Sequence, residues 1–108
     1  MTLTAVVLAW TTTTAPPIRD IDLAALELTG HARVIREELT VRAAALPAGS
    51  ARVQLLGYSL AEADRRLSVS SSGLGVLAYA QGRARLVRGL HRLLDRLDQP
   101  SGELSAHP

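Results

Sequence analysis

Between Asp20 and Leu97 aliphatic residues return every three or four positions in three runs, broken only at Pro47-Ala48-Gly49 and at Ser70-Ser71-Ser72-Gly73. That spacing keeps apolar side chains on one side of an α-helix, whose period is 3.6 residues, and it does not fit the alternation of a strand. The chain is therefore expected to be all-α: a three-helix antiparallel bundle over residues 18–99, preceded by an apolar N-terminal arm over 1–17 and followed by a disordered tail over 100–108. The tail, Ser101-Gly102-Glu103-Leu104-Ser105-Ala106-His107-Pro108, has almost no apolar content to offset the entropy of ordering it.

The first helix is expected from about Asp20 to Leu46, with Asp20 or Asp22 as its N-cap and the Pro47 break as its stop. Ile21, Ala25, Leu28, Ala32, Ile35, Leu39 and Leu46 form one stripe, interrupted near its end by Arg42, and Leu26, Val34 and Val41 are expected to widen it. The second helix is expected from Ser50, its cap, to Leu67, with Val53, Leu56, Leu60, Ala63 and Leu67 as a seam and the Ser70–Gly73 stretch as the turn that follows. The third runs from about Gly75 to Leu97, with Tyr79, Leu86, Leu90, Leu93 and Leu97 central, Ala80, Val87 and Leu94 beside them, and Pro100 closing it. Glu38 and Arg42, and Glu62 and Arg66, stand four apart in the order that supports a helix. Gly82 and Gly89 each cost the third helix up to about 1 kcal/mol relative to Ala. An exposed face and a close helix–helix approach explain them equally well.

At 1.5 Å per residue these helices are roughly 40, 27 and 35 Å long. The short middle one cannot cover both neighbours. Apolar residues left over, Leu23, Leu26 and the arm around Trp10, then call for a second chain, so a homodimer is expected, with arms exchanged between protomers as one way to build it.

Composition narrows the chemistry. The 108 residues contain no Cys, which removes disulfides, thiolate nucleophiles and thiolate metal sites together. All twelve basic residues are Arg, in a chain rich in Ala, Leu and Gly, which reads as the codon usage of a GC-rich genome. The net charge of +2 is small and gives no nucleic-acid signature. The apolar run from Leu3 to Trp10 has no basic residue ahead of it and falls short of the ~20 residues a membrane span needs. It points neither to a secretory leader nor to a membrane anchor, and a cytoplasmic protein is expected. There is no Gly-x-Ser-x-Gly, no His-Glu-x-x-His and no Gly-rich loop feeding a Lys. Neither cofactor nor metal is expected.

Three groups of residues remain. His31 and His91 sit beside apolar stripes and, with Tyr58 and Tyr79, are the candidate catalytic groups of a pocket between helices; packed or boundary histidines are the simpler account. Arg85, Arg88, Arg92 and Arg96 form one stripe on the third helix, able to follow phosphates or a partner's acidic groups. Asp95 and Asp98 dilute it, and a solvated face accounts for it better than nucleic-acid binding. Glu37 and Glu38 point about 100° apart and cannot share a pocket, which leaves Glu37 with Asp64 as a carboxylate pair that nothing selects.

The first helix with Leu28-Thr29-Gly30-His31, the Leu46-Pro47 break, the segment Ala61-Glu62-Ala63-Asp64-Arg65-Arg66-Leu67 and the Ala84-Arg85-Leu86-Val87 stretch together resemble a family of small actinobacterial proteins often labelled natural product biosynthesis proteins. The resemblance covers about residues 20–97. The family reads Glu-Ala-Arg-Arg-Leu where this chain is one residue longer. It implies a biosynthetic setting and carries no catalytic residue with it. The leading expectation is a non-enzymatic helical accessory or interaction protein that offers a groove or face to a protein partner. A cofactor-free enzyme or small-molecule binder and a nucleic-acid binder are the alternatives.

Overall fold

The computed structural model describes residues 2–69 and 75–98. Among the described residues every regular element is a helix: α1 at Leu3–Ala9, α2 at Ile18–Ala44, α3 at Ala51–Ser68 and α4 at Val76–Asp98. The three long helices fall within two residues of their expected ends, and a fourth, short one occupies the N-terminal arm. The Ser70–Gly73 turn and the tail after Pro100 lie outside the described residues.

The arm folds because its apolar run has a start signal and a surface to cover. Thr2 Oγ1 accepts from Ala5 N at 3.1 Å and so caps α1. Val7 is fully buried, and Leu3, Leu8 and Trp10 pack, partly buried, against the same core. Gln81 of α4 donates to the carbonyls of Val7 and Trp10, at 3.2 and 2.9 Å, and pins the C-terminal end of α1. After it the threonine run forms a turn closed by its own side chains: Thr11 N donates to Thr14 Oγ1 at 2.8 Å and Thr14 N to Thr11 Oγ1 at 3.2 Å. The arm's apolar residues thus find partners in their own chain.

Pro17 is the N-cap of α2, and its carbonyl accepts from Asp20 and Ile21; no side chain caps this end. The expectation of Asp20 or Asp22 at the cap is corrected: the cap lies three residues before Asp20 and five before Asp22. Pro16-Pro17 sets an extended entry that lets the helix begin at Ile18, and Asp20 falls in the first turn, where its charge suits the helix dipole. At the other end Gly49 takes φ +81°, a left-handed conformation that the turn into α3 requires and glycine adopts without strain. Ser50 then caps α3, accepting from Val53 N at 3.2 Å.

The helices alternate in direction. Arg42 near the end of α2 pairs with Asp98 at the end of α4, so α2 and α4 run parallel, and α1 and α3 run against them in the two grooves that this pair leaves. Among the described residues α1 and α3 make no contact with one another. The α2–α4 seam is lined by Leu28, Ala32, Ile35 and Leu39 on one side and Ala80, Ala84, Val87 and Leu90 on the other, all buried. The alanines let the two axes come close. Burying a Leu or Val side chain fully stabilises by roughly 1.5–3 kcal/mol, so Leu28, Leu39, Val7 and Val87 form the energetic centre.

The expected widening of the apolar face of α2 is not what is seen. Leu26, Val34 and Val41 lie on the opposite side of the helix and face solvent. Residues 26, 34 and 41 are displaced by more than a third of a turn from the buried stripe at 3.6 residues per turn, so they do not join the seam that this stripe makes with α4.

Candidate functional site

The candidate residues are distributed over several surfaces. His31 and His91 come together in an open-sided groove of about 390 Å³ against α1, shared with Arg88, Thr2 and Thr4. Both histidines are exposed, and Thr2 already spends its hydroxyl on the α1 cap. No cluster of three or more metal-ligating side chains exists among the described residues. Two imidazoles and a guanidinium in such a groove can meet an anion, but nothing there excludes water from it.

Tyr58 and Tyr79 do not join the histidines, so the four do not form one pocket. Tyr58 is 76% exposed beside a shallow groove between α3 and α4, lined by Ala63, Leu86, Leu90 and Leu93, with Glu62 and Arg66 following Tyr58 along α3 and Arg85 across from them on α4. Tyr79 turns inward to a residue that the sequence reading passed over. Arg83 is only 5% exposed, and no carboxylate faces it among its hydrogen-bond partners. Its Nη1 donates to the carbonyl of Arg66 at 2.7 Å, and its Nη2 donates to those of Leu67 and Val69 at 3.2 and 3.0 Å. Nε and Nη2 both reach the Tyr79 hydroxyl, at 3.2 and 2.9 Å. The guanidinium thus gathers the carbonyls at the C-terminal end of α3, those of Leu67 and Val69 and that of Arg66, which also accepts from Val69 N, where the helix dipole favours a cation. The one available signal was its position: Arg83 stands inside the apolar stripe, between Ala80 and Leu86, and apart from the solvated arginines.

Those arginines, Arg85, Arg88, Arg92 and Arg96, are all exposed on α4 as the spacing requires. Gly82 and Gly89 flank the same face, and a Cβ at either would meet nothing within 4 Å. Among the described residues the open-face explanation therefore fits both, and neither marks a close helix–helix contact within the chain.

Asp64 makes no pair with Glu37. It faces Arg36 instead, which donates from Nε to Oδ1 at 2.6 Å and from Nη2 to Oδ2 at 2.8 Å. That two-pronged hydrogen bond holds the Asp64 carboxyl below its usual range and fastens α3 to α2. Glu62 is likewise lowered, by Arg65 and then Arg66.

The most unusual surface is the outer face of α2. Leu23, Leu26, Val34 and Val41 are 58%, 70%, 70% and 59% exposed and follow one another along nearly the whole helix. Val34 and Val41 border an open hollow with Leu94 of α4, whose edge also carries Arg33, Glu37 and Glu38. Trp10, expected alongside Leu23 and Leu26, is instead half-buried against α4.

Comparison with known protein families, with curated sequences and with solved structures found no match to this chain. Among the described residues no helix is long and apolar enough to cross a membrane.

Proposed function

We propose that this chain is a non-enzymatic helical interaction protein that docks a protein partner on the outer face of α2. The observation that carries this reading is the two-faced character of that helix: one apolar stripe forms the core, and a second, on the far side, is left to water. A surface helix needs one apolar stripe, and exposed aliphatic residues recurring along its other side mark an interaction surface. The resemblance to natural product biosynthesis proteins suggests the setting, an accessory role beside a biosynthetic or regulatory system, and self-association is the form of partnership the proposal favours.

The test is the double substitution Leu26→Glu/Val34→Glu. Both residues are exposed, so helicity by circular dichroism should be unchanged while association, read as mass by light scattering at micromolar concentration, is lost. Association that survives both charges would sink the proposal.

A second reading rests on the shared groove of His31, His91 and Arg88, which suits a small anion. Titration with inorganic phosphate, followed by imidazole resonances, should leave both histidines unmoved if the docking role is the whole function; a saturable shift would favour the ligand-binding alternative.

A further inference from the structure

Resting on the docking role proposed for α2, we infer that the occupant of its outer ridge is a second copy of this chain, lying antiparallel so that Leu26 meets Gly30 of the second copy and Leu23 meets its Val34.

The ridge is not uniform, and its irregularity sets the pairing. Leu23 and Leu26 stand at its N-terminal half, Gly30 leaves a gap with nothing within 4 Å of its missing Cβ, and Val34 follows. Antiparallel packing about a two-fold axis between Leu26 and Gly30 seats each Leu26 over the gap at Gly30 of the second copy. The same register places charges of opposite sign together, Arg19 and Glu37 in line with the ridge and Asp22 and Arg33 on its flank. Arg19 comes opposite Glu37 of the second copy, and Asp22 opposite its Arg33, each pair occurring twice by symmetry. All four residues are exposed, and among the described residues none of them enters an ion pair within the chain. Arg36, Glu38 and Arg42, by contrast, are already engaged by Asp64, by one another and by Asp98. The unpaired charges are therefore the ones this packing uses.

Other arrangements of the same two ridges are poorer. A parallel pair stacks Gly30 on Gly30, leaving the gap unfilled, sets Glu37 against Glu37, and aligns the helix dipoles unfavourably. Shifting the antiparallel pair so that Leu23 meets Val41 brings Arg33 beside its own mate and Leu26 against Glu37. The preferred register has one like-charge contact: Glu27 comes within about 3 Å, measured along the axis, of Glu27 of the second copy. Its removal should tighten the pair.

The chain has no cysteine, so a single introduced thiol reports one position. Glu27→Cys, treated with a short bis-maleimide at micromolar concentration, should be captured as a covalent dimer. Val41→Cys should not, because its two copies would lie about 39 Å apart. Arg33→Asp should weaken the dimer roughly tenfold by sedimentation, the loss of two partly exposed ion pairs, and Arg33→Asp/Asp22→Arg should recover it, while Glu27→Gln should strengthen it. Capture of both thiols, or of Val41→Cys alone, overturns the register. A wild-type mass of one chain overturns the second copy. In that event, an apolar dye that binds the wild type and not Leu26→Glu/Val34→Glu would leave the docking role of α2 standing, and absence of dye binding would remove it as well.

Discussion

The seam between α2 and α4 and the flank on which α3 lies differ in what holds them. Along the seam, Leu28, Ala32, Leu39, Ala80, Ala84 and Val87 have essentially no exposure. On α3 only Leu56 and Ala63 are buried, Leu60 and Leu67 are half-covered, and the helix is tied at two points by polar groups: Asp64 to Arg36, and the last carbonyls to Arg83. Yet α3 has as regular a 3-4 repeat as either neighbour. Amphipathic periodicity shows which side of a helix turns inward, but not how much it meets there. A helix laid into a groove from outside is covered on one narrow strip, and polar ties must then fix its position.

The contrast makes quantitative expectations. Leu28→Ala should lower the unfolding free energy by about 2–5 kcal/mol in urea titrations, while Leu60→Ala on the flank should cost about half as much; equal costs would erase the distinction. Next in size, Arg83→Met should cost about 2–3 kcal/mol, since it takes the guanidinium donor from the carbonyls of Leu67 and Val69 and one of two donors from that of Arg66. Hydrogen exchange should speed up over the last turns of α3 and leave the α2–α4 seam protected. Uniform loss of protection would mean that α3 and the seam open as one unit.

Smaller effects probe the same difference. Gly57→Ala, mid-helix on α3 with nothing near its missing Cβ, should raise stability by about 0.4–1 kcal/mol and slow exchange in α3 above all. Asp64→Asn should cost less than about 1 kcal/mol at neutral pH, because the bridge to Arg36 is partly exposed. Since the folded state holds the Asp64 carboxyl below its usual range, the bridge stabilises above the unfolded carboxylate range and is lost as pH falls through the lowered value. The melting temperatures of wild type and Asp64→Asn should therefore converge in acid and diverge toward neutrality.

Much of the architecture could be read without coordinates. The helix class, the three long elements, the Ser50 cap and the core stripes of α2, α3 and α4 all follow from period, cap chemistry and breaks, which are local properties of neighbouring residues. The arm was readable as apolar but not as a helix, because seven residues are too few to hold a helix alone and α1 exists through Val7 and Gln81 contacts with α4. Of the candidate site residues, the arginines of α4 lie where their spacing places them. The separation of Tyr58 and Tyr79 from the histidines depends on how α3 and α4 are rotated against each other, which no single helix encodes.

Residue order alone settled that this chain is helical, where its long helices begin and end, and that it contains more aliphatic stripe than three such helices need. Packing decided which stripe would be left over. Leu26, Val34 and Val41 were readable as apolar and near the core face, but α4 could meet only one side of α2, and the buried stripe carrying Leu28, Ala32 and Leu39 offered it a closely spaced, alanine-lined fit. Arg83 likewise has a meaning only in three dimensions, since the carbonyls it serves belong to another helix, and a charge inside an apolar stripe is tolerable only once those partners are in place.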